Sequence, residues 1–201
     1  MLLEINKYNP EYPKIKQAVD VLKAGGVIVY PTDTIYGFGA DIFNKDAIDR
    51  VYKIKKKGVQ GFSFIIPDLK DISKFAIVSD FAYKTMRKLL PGPYTFVLRA
   101  TKYVPKELIP EKKTVAIRIP DNKVCLELVR LLSGPIVTTS VNISGEHFFS
   151  DPLDIEKTFG EQVDLVLDAG ALSNEPSSVI DLTSDTPVII RRGKGDVSLF
   201  E

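Results

Sequence analysis

A chain of 201 residues with 44% hydrophobic and 26% charged side chains is long enough for one well-buried domain, or two small ones. Its formal net charge of +1 gives no global pull toward nucleic acid or a membrane surface, so an anion site must come from local clustering. No apolar run nears the ~20 residues of a membrane helix, and the N-terminus lacks the basic start and long apolar core of a signal peptide. One cysteine, Cys125, excludes an internal disulfide framework and fits a reducing compartment, so the expectation is a cytoplasmic protein without a membrane partner.

Residues 2–5 read as a short first strand. Asn9-Pro10-Glu11 predicts a helix start with Asn9 as N-cap, and Ile15, Val19 and Leu22 recur at helical spacing until Gly25-Gly26. Residues 26–30 are a β-branched apolar run, a buried strand, which opens into Tyr30-Pro31-Thr32-Asp33-Thr34-Ile35-Tyr36-Gly37-Phe38-Gly39. Such a loop brings backbone N–H groups and hydroxyls to a strand's carboxyl end, where ligands sit in open α/β sheets. The same pattern also fits a plain strand-to-helix turn. Asn44 then caps a helix through Lys55, with Ile48, Val51, Tyr52 and Ile54 as its apolar stripe.

A strand over 62–66 ends at Pro67, and a helix over 80–90 is stopped by Pro91-Gly92-Pro93. Strands follow at 94–98 and 114–119, then a helix over 122–132 in which Cys125 reads as a small buried hydrophobe. A buried strand over 135–139 flows into Ser140-Val141-Asn142-Ile143-Ser144-Gly145. A short helix at 151–159 and strands at 163–167, 178–182 and 187–190 finish the chain. With no repeat, low-complexity tract or linker, the pattern predicts a single α/β domain over 1–201, a twisted open mixed sheet with helices on its faces.

Four clusters could carry chemistry. Lys53, Lys55, Lys56 and Lys57 before Gly58, with Arg50 upstream, suit either a polyphosphate clamp or simple complementarity to a helix end. Thr138, Thr139, Ser140, Asn142 and Ser144 supply hydroxyls and an amide just past a buried strand, enough for phosphate or ribose or merely for the loop's own backbone. Arg118 alternates out of an apolar strand, where a guanidinium waits for a carboxylate or phosphate ligand, or for an aspartate. Arg191-Arg192-Gly193 again puts cations at a strand end. No GxGxxG, P-loop, zinc spacing around His147 or acid/base pair stands out, so an enzyme here would work by positioning and electrostatics.

In order, Tyr30-Pro-Thr-Asp-Thr-Ile-Tyr-Gly-Phe-Gly, Lys55-x-Lys57, Pro91-Gly-Pro-Tyr-Thr-Phe-Val-Leu, Thr114-Val-Ala-Ile-Arg-Ile-Pro, Thr139-Ser-Val-Asn-Ile-Ser-Gly, Ser177-Ser-Val-Ile-Asp and Val188-Ile-Ile-Arg-Arg-Gly resemble the YrdC-like family of threonylcarbamoyl-AMP synthases, more closely its YciO-like branch. The resemblance spans about residues 9–196 and implies a YrdC-like fold with a basic concave site, without the additional C-terminal domain of longer relatives. It implies a nucleotidyltransferase that makes L-threonylcarbamoyladenylate from ATP, L-threonine and bicarbonate, with Mg2+ accompanying ATP. The adenylate would pass to downstream proteins for the t6A modification at A37 of tRNA. Lys55, Lys57, Thr114, Ser140, Asn142 and Arg191 match positions around ATP; Thr34, Arg118, Thr138 and Ser177 match positions around threonine. Charge stabilisation falls to Lys55, Lys57 and Arg118. The family's K-x-R-P becomes Lys55-x-Lys57-Gly58, and Gly61 and Ile66 stand where many members carry Asn and His. The other function the resemblance allows is RNA binding (tRNA or double-stranded RNA) with weak or no synthase activity.

Overall fold

The computed structural model of the chain describes residues 1–56, 62–110, 112–143, 145 and 147–201. Its elements run β1 (Leu2–Glu4), α1 (Tyr12–Lys23), β2 (Ile28–Tyr30), β3 (Gly37–Asp41), α2 (Lys45–Lys55), β4 (Ser63–Ile65), α3 (Ile72–Phe75), β5 (Ala76–Ile77), α4 (Asp80–Leu89) and β6 (Tyr94–Ala100). They continue with β7 (Thr114–Arg118), α5 (Lys123–Leu132), β8 (Ile136–Ser140), α6 (Pro152–Phe159), β9 (Leu165–Asp168), β10 (Ser178–Asp181) and β11 (Val188–Arg191). All strands join one mixed sheet in the order β1-β9-β2-β3-β8-β4-β7-β6-β10-β11, with β5 beside β6. This is the single-domain α/β architecture the sequence predicts.

Local chemistry accounts for the helix starts. Asn44 Oδ1 accepts from Ala47 N at 3.0 Å, Ser79 Oγ from Ala82 N at 3.2 Å and Asn122 Oδ1 from Cys125 N at 3.1 Å. The first helix corrects the sequence expectation: it begins at Tyr12 with Glu11, not Asn9, in the N-cap position. Asn9 is drawn into an earlier turn because its N–H, like that of Tyr8, donates to Asn6 Oδ1.

The two faces of the sheet are covered unequally. Phe38, Phe64, Phe96, Ile117 and Val137 lie on one face, packed with Ile48 and Val51 of α2, Met86 of α4 and Phe159 of α6. On the other face Ile28, Tyr30, Ile65 and Ile136 pack with Leu22 of α1 and Val124 and Leu128 of α5. Farther along this second face the side chains are small or polar. Ser63 stands opposite both Thr138 and Ala116, Ala116 opposite Val97, and Gly37 opposite Ser140. Because neighbours in register share a face, this stretch forms a shallow floor rather than a ridge.

The strand β3 is a departure from the predicted turn. Gly37–Asp41 pairs antiparallel with β2 on one side and β8 on the other. Glycine suits this strand because another ring occupies the space: a Cβ on Gly39 would lie 2.6 Å from Tyr30 Cε1.

Candidate functional site

A cleft of about 520 Å³ opens above that floor. Lys55, Arg118 and Arg191 enter it from three separate elements, together with Ser63, Thr95, Thr138, Ser140, Asn142 and Ser177. None of its described lining residues is acidic. Three cations and no acidic side chain in the described lining make a site that favours anions.

Lys55 belongs to the last turn of α2, where the helix dipole favours a cation, and its residue is 4% exposed. Its Nζ donates to Ser140 O at 2.7 Å, to Ser140 Oγ at 3.3 Å and to Asn142 Oδ1. Ser140 Oγ donates in turn to Asn142 Oδ1 at 2.7 Å. The hydroxyl loop after β8 is therefore organised by the lysine, and the two clusters seen separately in the sequence form one wall.

Opposite them, Arg191 Nε and Nη2 donate to Ser177 O at 3.0 and 2.8 Å, and Nη2 also reaches Ser177 Oγ at 3.2 Å. Ser177 Oγ shares a 2.8 Å hydrogen bond with Thr95 Oγ1. Burial, and after it the charge of Arg118, pulls the Arg191 guanidinium below its ordinary value. The close approach that seats Arg191 needs Gly193, where a Cβ would meet Pro176 O at 2.3 Å.

Arg118 enters the cleft from the end of β7. Its Nη2 donates to Asp33 Oδ1 at 2.9 Å and to Thr34 Oγ1 at 3.0 Å, while its Nε is buried with no hydrogen-bond partner among the described residues. The aspartate partner that the sequence left open thus exists, and it leaves a donor over. A buried, unpaired donor costs about 1–3 kcal/mol, a cost that an incoming acceptor removes.

Of the residues expected around ATP, Lys55, Ser140, Asn142 and Arg191 line the cleft. Thr114 shares the floor's face of β7 but lies one step beyond Ala116, and Lys57, with Gly58 and Gly61, falls outside the described residues. Of those expected around threonine, Arg118, Thr138 and Ser177 line the cleft. Thr34 does not: it borders a second hollow of about 700 Å³, shared with Asp33, Asp121 and Lys194, and touches the cleft through Arg118. Ile66 is 2% exposed in the core of the opposite face, away from the floor.

Sequence reasoning missed Ser63 and Thr95, whose only signal was their alternation with the buried Phe64 and Phe96. It also missed Asp33 as the partner of Arg118. Cys125 is buried, with its Sγ 3.1 Å from Pro31 O, and burial followed by the Asp33 charge pushes its thiol well up. His147 has no neighbouring set of metal-ligating groups among the described residues, and no described helix is long and apolar enough to cross a membrane.

Comparisons with known proteins follow the same outline. The family model of Sua5, YciO and YrdC, described as "Telomere recombination", matches residues 20–193. The chain is 41% identical over 199 residues to YciO of Escherichia coli K12, covering 98% of this chain and 97% of that one. The crystal structure of E. coli YciO superposes with a TM-score of 0.95 at 39% identity, covering 100% of this chain and 99% of that chain. A threonylcarbamoyl-AMP synthase of Coxiella burnetii is 33% identical over 158 residues, 77% of this chain and 84% of that one. The crystal structure of Pyrococcus abyssi Sua5 complexed with L-threonine superposes with a TM-score of 0.89 at 27% identity, over 96% of this chain but only 57% of the Sua5 chain. A cleft built on a matching fold, from motifs in matching order, has one family explanation: the chain belongs to the Sua5/YciO/YrdC family.

Proposed function

We propose that the cleft binds ATP beside L-threonine and makes L-threonylcarbamoyladenylate, a nucleotidyl transfer that serves tRNA t6A modification through downstream transfer proteins. The convergence of Lys55, Arg118 and Arg191 with Ser140, Asn142, Thr138 and Ser177 in one cleft, with no acidic side chain among its described lining residues, carries this proposal. The synthase name of the C. burnetii relative and the L-threonine in the P. abyssi Sua5 complex support the choice of substrate.

In the proposed reaction the amine of threonine and bicarbonate combine, with loss of water, to a carbamate. A carbamate oxygen attacks the α-phosphorus of ATP, the bond to the β-bridging oxygen breaks, and pyrophosphate leaves. The carbamate is already anionic, so the chain's task is in-line placement and neutralisation of spread negative charge rather than proton abstraction. Lys55 and Arg191 would meet the triphosphate, with Ser140 and Asn142 as hydrogen-bond partners and Lys57 and Thr114 as the further contacts expected from the family motifs. Arg118 would offer its spare Nε to the threonine carboxylate, with Thr138 and Ser177 beside it and Thr34 acting through Arg118. Mg2+ would come with ATP as part of that substrate, since the described lining of the cleft presents no carboxylate to hold it.

Incubating the purified chain with ATP, L-threonine, bicarbonate and Mg2+ tests this proposal. Mass spectrometry is expected to find the adenylate, and pyrophosphate release is expected to need threonine and bicarbonate. Pyrophosphate release indifferent to threonine, or no adenylate at all, contradicts the proposal.

A further inference from the structure

The ion pair behind the cleft has an uneven geometry. Asp33 and Arg118 have side chains 8% and 7% exposed, yet they meet by one prong, Asp33 Oδ1 on Arg118 Nη2. The second carboxylate oxygen turns away and accepts from Asp121 N at 3.2 Å, just before α5. The backbone carbonyl of Asp33 accepts from Lys194 Nζ at 2.6 Å. Asp33 is thus fixed at three of its atoms by groups other than substrate, and its own contact to Arg118 is fixed in turn. Thr34 Oγ1 takes the remaining contact on Nη2, and Thr32 Oγ1 holds Thr34 Oγ1 at 3.0 Å.

A side-on, two-pronged pair would have occupied Nε as well as Nη2 and spent that edge of the guanidinium on the protein. A one-pronged pair orients the planar group and leaves Nε buried and without a hydrogen-bond partner among the described residues. Asp33 also offsets the positive charge of Arg118, whose repulsion adds to burial in pulling Arg191 down. Without that offset Arg118 would be free to swing toward solvent or toward the second hollow.

We infer that Asp33 is a positioning residue for amino-acid binding: it holds Arg118 by Nη2 so that Nε faces the substrate carboxylate. This rests on the cleft being the threonine site, and it assigns Asp33 no contact with substrate.

The test measures L-threonine and ATP affinity by titration calorimetry in the wild type, Asp33→Asn and Asp33→Glu, with L-threonine amide as the probe that lacks the carboxylate. Asn keeps the shape and one acceptor oxygen, so the fold is expected to survive. A misplaced guanidinium is expected to weaken L-threonine binding by about 10- to 100-fold in Asp33→Asn, with ATP affinity changed less than about twofold. Asp33→Glu keeps the charge and is expected to recover part of the loss. The distinguishing readout is the amide: wild type and Asp33→Asn are expected to bind it equally, because the penalty belongs to the carboxylate contact. Equal L-threonine affinity in wild type and Asp33→Asn, or an equal penalty on threonine and its amide, overturns the positioning role while leaving the threonine site standing. A wild-type chain that does not bind L-threonine at all overturns both.

Discussion

Replacing Lys55 by methionine perturbs the wall of the cleft at its most buried cation while keeping the length of the stem. Lys55 is 4% exposed, and its ammonium serves Ser140 O at 2.7 Å and the Ser140 and Asn142 side chains. Losing it leaves acceptors without that donor, at about 1–3 kcal/mol each. Removing a cation from a buried position returns several kcal/mol of desolvation, so the two effects largely cancel. A net loss of up to about 2 kcal/mol shifts the thermal midpoint of a domain this size by no more than about 8 °C. Ligand binding has no such cancellation. A hydrogen bond from an ammonium to a phosphate is worth about 1.5–3 kcal/mol, so the ATP dissociation constant is expected to rise about 10- to 150-fold. Calorimetric titration of ATP into Lys55→Met, with a thermal scan to establish that it folds, measures both. A folded variant with unchanged ATP affinity refutes the assignment of Lys55 to the triphosphate.

Four further outcomes are expected. Arg118→Ala removes the carboxylate donor and is expected to weaken L-threonine by at least about 30-fold while sparing ATP; Arg118→Lys, which keeps the charge, guards against a folding defect from an unpaired Asp33, and threonine affinity unchanged in both variants would count against the clamp. Gly39→Ala places a Cβ 2.6 Å from Tyr30 Cε1, a ring with no freedom to retreat, and is expected to cost about 1–3 kcal/mol, read as a lower urea midpoint; an unchanged midpoint contradicts the packing described. Burial raises the Cys125 thiol above 9.0 and the Tyr30 and Tyr36 phenols above 10.0. The folded chain therefore keeps protons that the unfolded chain sheds, so stability is full below pH about 9 and falls as pH rises beyond it. Urea midpoints at pH 8 and 10.5 measure this, and a midpoint that holds steady or rises contradicts it. Native Cys125 is also expected to resist thiol reagents until the chain unfolds.

Much of the architecture was legible because single residues carried it. Asn44 and Asn122 announce their helices by side-chain capping, and Pro91-Gly92-Pro93 stops α4 before β6. The strand β3 was not legible: Gly37 and Gly39 look like turn residues until the pairing with β8 is seen and, at Gly39, the ring of Tyr30 explains why glycine fits. Asn9 misled because local capping logic ignores the competing turn around Asn6. In the site, the cationic and hydroxyl clusters could be named from their types, but not that Lys55 organises Ser140 and Asn142 from 85 and 87 residues away. Thr34 shows the limit most clearly. Its motif points to the ligand, whereas its hydroxyl turns to Arg118 and reaches the cleft only through that residue. Distances of this kind are set by the crossing of strands, which no local pattern encodes.

The most direct measurement is a crystal structure of the chain soaked with a non-hydrolysable ATP analogue and L-threonine. Phosphate density is expected against Lys55, Ser140, Asn142 and Arg191, with the amino-acid carboxylate on Arg118 Nε. Ligand density confined to the 700 Å³ hollow behind Asp33, with the cleft empty, contradicts the central claim.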